Sequence, residues 1–222
     1  MTVVLKHAHR WDVSPPEAVR IQEELRQYVV PAGGLEAVRA VAGLDVGFHG
    51  DVARAAVVVY SFPTLELLHE ALAERPVEFP YIPGLLSFRE APAALAALEK
   101  STVPWDVLLC DAQGIAHPRR LGLASHLGVL LDRPSVGCAK SRLIGEHGPV
   151  GDAAGSQVPL LSGDEVIGAV VRTRQGARPV YVSIGHRIDL ASAIELVLAC
   201  TRGYRLPEPT RRAHLLASGG RG

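Results

Sequence analysis

Several signatures of common chemistries are missing from this chain. It contains no GxGxxG, Walker, HExxH or GxSxG run, which removes the usual sequence grounds for a dinucleotide fold, a P-loop, a zincin or a nucleophile-elbow hydrolase. No stretch reaches the roughly eighteen consecutive apolar residues of a membrane span, so no membrane contact is expected. The opening MTVVLKHAHR places His and Arg straight after a very short apolar run. It has neither the long apolar segment nor the small-residue cleavage site of a secretory leader, and a cytoplasmic protein is expected. Cysteine is scarce and odd in number. Cys110, Cys138 and Cys200 lie far apart among Val, Leu and Ala, which reads as buried thiols rather than a disulfide framework or a zinc site. Net charge is absent too, with 23 basic residues against 23 acidic ones. Bulk electrostatics therefore gives no argument for a polyanionic partner, although a local basic surface stays open. Lysine occurs only at positions 6, 100 and 140 and every other basic side chain apart from His is Arg. That bias suits forked phosphate contacts, but heat-adapted or GC-rich backgrounds produce it as well.

What is present is enough for a sizeable core: 222 residues, 48% of them hydrophobic, a length that favours one α/β domain over the whole chain, with a disordered tail over 218–222. Ser14, Pro15, Pro16 and Glu17 form a helix start with Pro at N1 and Glu at N3, and Val19, Ile21, Leu25 and Val29 supply a rough inner face through Tyr28. Ala42 to Phe48 and Ala53 to Tyr60 read as strands joined by the turn His49-Gly50-Asp51, with a third strand over Leu65 to Ala73. Ser87 and Glu90 look like a second capping box before a helix over Pro92 to Lys100. WDVLLCD, from Trp105 to Asp111, reads as a short buried strand of the kind covered on both faces. A helix over Leu121 to Leu131 and a strand over Pro134 to Ala139 follow. Glu165 to Arg172 and Pro179 to Ile184 then form an antiparallel pair. Asp189 caps a helix from Leu190 to Arg202, and Pro209 opens the last one, through Leu216. The order implies a mixed sheet flanked by helices.

The chemistry collects where charge meets strand ends. Asp45 sits inside the apolar strand Gly43-Leu44-Asp45-Val46-Gly47, where an unpartnered carboxylate costs several kcal/mol. Asp111 ends VLLCD, and if the two strands are neighbours one divalent cation can serve both acids and relieve their repulsion. Glu90 would complete an acidic cluster. Each acid also has an ordinary alternative: a solvent-facing turn residue, a strand terminator, a capping-box partner. Lys140 closes the apolar SVGCAK and can contact a phosphate or orient an attacking water, or it can be an exposed strand-end lysine. His117 follows Asp111 in a Gly- and Pro-bearing loop and can reach a phosphate or leaving group, or be a plain loop histidine. His214 is unremarkable by itself. Pro80-Tyr81-Ile82-Pro83 presents an aromatic on a backbone already restricted by two prolines, suited to insertion between stacked bases or to ordinary loop packing. Gly84, Gly122 and Gly137 would let backbone approach a planar ligand, and Leu85 lies beside the first of them.

The runs AGLDVGFHGDVARAAVVV, FPYIPGLLSFRE, LLCDAQGIAHPRRLGLASHLG, SVGCAKSRL, PVYVSIGHRIDL and TRGYRLPEPTRRAH together resemble the endonuclease V family, the deoxyinosine 3′ endonucleases. The resemblance implies an RNase H-like mixed sheet in which Asp45 and Asp111 bind Mg²⁺, or Mn²⁺ in its place, with Glu90 close by or bound through water. It implies catalytic support from Lys140 and His214, and a DNA wedge of Pro80, Tyr81, Ile82 and Pro83. The base pocket for a flipped hypoxanthine maps to Gly84, Leu85, Gly122 and Gly137, and phosphate contacts to His117, Arg119 and Arg120. The activity implied is hydrolysis of the second phosphodiester 3′ to deoxyinosine in damaged DNA, leaving 3′-hydroxyl and 5′-phosphate ends, by a monomer. Inosine-containing RNA as the substrate, or nucleic-acid binding without catalysis, are the alternatives. With no net charge, DNA binding would need a sharply local basic face and would be salt-sensitive.

Overall fold

Ser14 starts the first helix as its sequence suggests: the Glu17 carboxylate accepts both the Ser14 backbone N–H, at 2.8 Å, and its hydroxyl, at 2.6 Å. In the computed structural model, which describes residues 4–220, that helix is α1 (Pro15–Leu25), followed by a 3₁₀ turn, Arg26–Tyr28. Its buried residues are Ala18, Gln22 and Leu25, so the inner face is rotated from the expected one and carries a buried amide. The remaining elements are β1 (Ala40–His49), β2 (Val52–Ser61), β3 (Leu67–Pro76), α2 (Leu86–Glu99), β4 (Val107–Cys110), α3 (Leu123–Leu131), β5 (Ser135–Ala139), β6 (Gln157–Ser162), β7 (Glu165–Val171), β8 (Val180–His186), α4 (Leu190–Ala199) and α5 (Glu208–Ala217).

One eight-stranded sheet runs in the order β3-β2-β1-β4-β5-β8-β7-β6. The pairs β1–β4 and β4–β5 are parallel and the others antiparallel. Both faces of the central strands are buried, and the period-two alternation of side chains divides them between two cores. Ala42, Leu44, Leu108 and Cys110 pack with α2 and α3, whereas Val41, Val107, Leu109, Val136 and Cys138 pack with α4 and α5. This is the expected RNase H-like mixed sheet between helices. The three cysteines are free and buried. Among the described residues no helix is long and apolar enough to cross a membrane.

Three expectations change. The capping box at Ser87 and Glu90 does not form: α2 already begins at Leu86 and runs through Pro92. The Ser87 hydroxyl is instead within 3.0 Å of His126 Nδ1 and 3.4 Å of Gln22 Nε2, so Glu90 lies inside the helix. Strand β6 was not expected from its sequence. Its Pro159 lacks a ladder donor, and the strand sits at the sheet edge, where a proline is tolerated. In the tail, Ser218, Gly219 and Gly220 continue the end of α5 with backbone bonds to His214, Leu216 and Leu215, while residues 221–222 lie outside the described residues.

Candidate active site

The two parallel pairings carry three charged side chains to one end of the sheet. Leu44 is in register with Cys110, and the Asp111 N–H donates to the Leu44 carbonyl at 3.0 Å, so Asp111 comes level with Asp45. Along β1, β4 and β5 the α5-side positions continue from Val41 to Asp45, from Val107 and Leu109 to Asp111, and from Val136 and Cys138 to Lys140. All three therefore emerge on the same face beyond the apolar core. Helix α5 completes the site from above. A Cβ on Gly43 would stand 2.2 Å from the Pro209 carbonyl carbon, and one on Gly47 would stand 2.8 Å from the Ala217 oxygen. The two glycines flanking Asp45 on its own face thus let α5 lie at backbone distance. That approach brings His214 Nδ1 to 2.7 Å from Asp45 Oδ2.

Asp45, Asp111 and His214 each offer a ligand atom, and these atoms lie within 4.8 Å of one another. Two carboxylates and an imidazole form a donor set suited to a hard or borderline divalent cation. Lys140 is ion-paired with Asp111, and its Nζ is 3.3 Å from His214 Nδ1. Glu90 lines the same cavity but stands outside the three-residue ligand group. Burial, and then repulsion from Asp45 and Asp111, pushes its carboxyl from 4.5 up to about 8. Burial and Asp45 also raise Asp111, with Lys140 and His214 opposing. Without a cation, the site carries more negative charge than its surroundings support.

That excess has a stability consequence. Between pH 4.5 and about 8 the native state keeps a Glu90 proton that the unfolded chain has released, so this group's contribution falls as pH rises through the window. Buried His117, lowered from 6.5 to about 4, has the opposite sign, but only below its ordinary value. In chelator, the wild-type melting temperature is expected to fall from about pH 6.5 to 8, and Glu90→Gln to flatten that fall. Parallel slopes in the two proteins would contradict the charge assignment.

A cavity of about 480 Å³ opens beside these groups. Of the expected wedge, Tyr81 is 70% exposed, whereas Ile82 packs partly against Phe79, Leu85, Phe88 and Ala18. Pro83 and Gly84 occupy the centre of a turn closed by Leu85 N–H to Ile82 O at 2.9 Å, with Gly84 at φ +80°, the arrangement of a type II turn.

The expected base-pocket residues divide. Gly84 and Gly122 line the cavity. Leu85 is buried in the Phe79–Phe88 cluster, and Gly137 lies under the backbone of residues 112–114, which a Cβ there would strike at 2.4 Å. Neither belongs to the cavity wall, because one is a core side chain and the other a packing contact. The residues expected to contact phosphate make bonds within the protein. His117 Nδ1 accepts the Arg119 N–H, leaving Nε2–H to donate to the Gly84 carbonyl at 3.0 Å. Arg119 donates to Gln22 Oε1 and to the same Gly84 carbonyl, and Arg120 is paired with Glu165. His117 Nε2 and the Nε and Nη2 groups of Arg119 and Arg120 are thus engaged within the protein. Arg142 and Leu143, which close the run SVGCAKSRL but were given no role from the sequence, line the cavity just beyond Lys140.

A sequence profile of Endonuclease V matches residues 23–215. The Endonuclease V of Roseiflexus castenholzii is 54% identical over 213 residues, covering 96% of each chain. The crystal structure of Endonuclease V from Streptomyces avermitilis superposes with a TM-score of 0.90 at 43% identity, covering 99% of this chain and 97% of that one. Ciona intestinalis Endonuclease V, crystallised with a 24mer DNA containing an inosine followed by a ribo-adenosine, gives a TM-score of 0.79 at 28% identity, over 92% of this chain and 96% of that one. With two acids, a histidine and a lysine gathered beside an open cavity on a sheet of this topology, the chain belongs to the endonuclease V family.

Proposed function

We propose that this protein recognises deoxyinosine in DNA and hydrolyses the second phosphodiester bond on its 3′ side, leaving 3′-hydroxyl and 5′-phosphate ends, with Mg²⁺ as its cation. The observation that carries this reading is the convergence of Asp45, Asp111, His214 and Lys140 on the cavity that Tyr81 also lines. The inosine-bearing DNA held by the Ciona intestinalis relative supports the choice of lesion.

Asp45 and Asp111 would hold the ion as hard oxygen donors, with His214 as the nitrogen donor. A bound cation would supply charge stabilisation for the phosphoryl oxygens and acidify an attacking water. Glu90, its carboxyl pushed up by burial and by Asp45 and Asp111, would be free to ionise with a cation balancing those neighbours, and would then orient water at the site. Lys140 holds a fixed positive charge against Asp111 and extends toward the cavity, where it can face a non-bridging phosphate oxygen. Arg142, exposed on the lining beyond it, is the guanidinium best placed to meet the backbone. The extruded base would enter the cavity against the backbone of Gly84 and Gly122, while Tyr81 fills the gap it leaves.

Tyr81→Ala is expected to lower the preference for lesion over undamaged duplex by about tenfold, since base-aromatic stacking is worth about 1–3 kcal/mol. Its side chain is 70% exposed, so stability should move by less than about 0.5 kcal/mol. An unchanged preference in a competition assay removes the wedge role. The function itself is tested by an end-labelled cleavage map of a duplex with one deoxyinosine, with and without Mg²⁺, beside a single-stranded RNA carrying one inosine. A single Mg²⁺-dependent nick at the second 3′ bond is expected. Nicking without regard to inosine, or a dominant RNA rate, overturns it.

A further inference from the structure

The loop that carries Tyr81 is fastened at both ends by guanidinium groups. At its start, Arg89 donates to the Phe79 carbonyl at 3.0 Å, with its guanidinium 4.6 Å from the centre of the Phe48 ring. At its end, the Gly84 carbonyl receives two donors, Arg119 Nη2 and His117 Nε2–H. Arg119 is itself aimed from behind: its Nε donates at 2.6 Å to Oε1 of Gln22, which is fully buried on α1. The Gln22 amide has its orientation set in turn, because its Nε2 donates to the Leu121 carbonyl at 3.2 Å. Glycine is required at the clamped position. Residue 84 has φ +80°, and a Cβ there would stand 2.9 Å from Arg119 Nη2.

We infer that Gln22, Arg119 and the Gly84 carbonyl form a clamp that fixes the wedge loop before DNA arrives, making Gln22 and Arg119 positioning residues for lesion selection. The inference rests on the proposed deoxyinosine reading. A buried, hydrogen-bonded polar network is worth keeping only when every member is satisfied, and then it rigidifies what it holds. Here it holds the backbone turn next to Tyr81 and the edge of the cavity. A mobile loop would pay the cost of ordering at each encounter, with normal and damaged duplex alike. A fixed loop spends none of the lesion's binding energy that way. An arginine that served phosphate through its paired Nε and Nη2 edge would present that edge to solvent, and Arg119 turns both of those groups inward.

The test compares wild type with Arg119→Ala, Arg119→Lys and Gln22→Met, each first checked for cooperative thermal melting. Two quantities are read: the competition of undamaged against deoxyinosine duplex in the Mg²⁺ nicking reaction, and the salt dependence of binding to undamaged duplex. The clamp predicts that all three substitutions lower selectivity by about tenfold, as expected for loss of a charge-assisted hydrogen bond. Arg119→Ala combined with Gln22→Met should be no worse than either alone, because they break one chain of contacts. The logarithmic salt slope should stay as in wild type. A direct phosphate contact predicts the reverse: a slope reduced by about 0.9 in Arg119→Ala, wild-type selectivity in Gln22→Met, and near-normal behaviour in Arg119→Lys. That pattern overturns the clamp. Should Gln22→Met not fold, Arg119→Lys decides, since it keeps the charge a phosphate needs and loses the two-pronged geometry the clamp needs. Wild-type protein without any preference for deoxyinosine would instead defeat the proposed function. Preserved preference in the variants defeats only the clamp.

Discussion

Asp45→Asn is expected to reduce nicking by about 10³-fold, the scale lost when a preorganised charge is removed from a reacting centre, while leaving the metal-free protein folded. The amide keeps the shape of the side chain and still offers an oxygen to His214, whose Nδ1 lies 2.7 Å from Asp45 Oδ2. It removes the negative charge that, after burial, raises both Glu90 and Asp111. Melting in chelator should therefore occur at or above the wild-type temperature, and the rise in melting temperature on adding Mg²⁺ should disappear. Lesion binding should persist in part, because the cavity and Tyr81 are untouched. A variant that nicks at the wild-type rate shows that Asp45 has no part in the chemistry. One that melts well below wild type in chelator contradicts the picture of mutual repulsion.

Gly43→Ala is expected to do comparable damage to activity without replacing any group that could meet metal or DNA. Its new methyl would lie 2.2 Å from the Pro209 carbonyl carbon and 2.3 Å from the Pro209 oxygen, and both are backbone atoms that no side-chain rotation can clear. Helix α5 must shift, and it carries His214 with it. Overpacking of this kind costs on the order of 1–3 kcal/mol, and sub-ångström misplacement of a site is enough to lower its rate severely. Gly148→Ala is the matched control: nothing lies within 4 Å of its added Cβ and its φ is not in the left-handed region. Thermal melts and nicking assays on the pair separate a general intolerance of alanine from close approach of α5. Wild-type activity in Gly43→Ala would remove the helix-seating argument.

Features with a local cause were legible before any coordinates. The Ser14–Glu17 helix start, the β1–β2 hairpin and the Asp189 cap, whose carboxylate accepts the Ser192 N–H at 2.8 Å, each depend on a few consecutive residues. The pairing of Asp45 with Asp111 was also accessible, since it needs only that two buried strands be parallel neighbours. What was hidden depends on contacts across the chain. His214 acquires meaning through Gly43 and Gly47, which make room for a helix that begins more than a hundred residues later. Ser87 has the spacing of a cap, but its hydroxyl bonds to the buried groups Gln22 and His126, and local propensity yields to that network. Arg119 and His117 look like phosphate ligands in a basic loop. Only the acceptors around them reveal that His117 Nε2 and Arg119 Nε and Nη2 are engaged inside the protein, and no spacing rule reports an acceptor on another element.

The most direct test of the central claim is anomalous diffraction from crystals equilibrated with Mn²⁺ at a concentration that supports nicking in solution. A peak coordinated by the carboxylates of Asp45 and Asp111 with His214 alongside is expected, and its absence from Asp45→Asn crystals treated in the same way. Active protein whose Mn²⁺ sits elsewhere, or whose Asp45 and Asp111 have no ion between them, would contradict it.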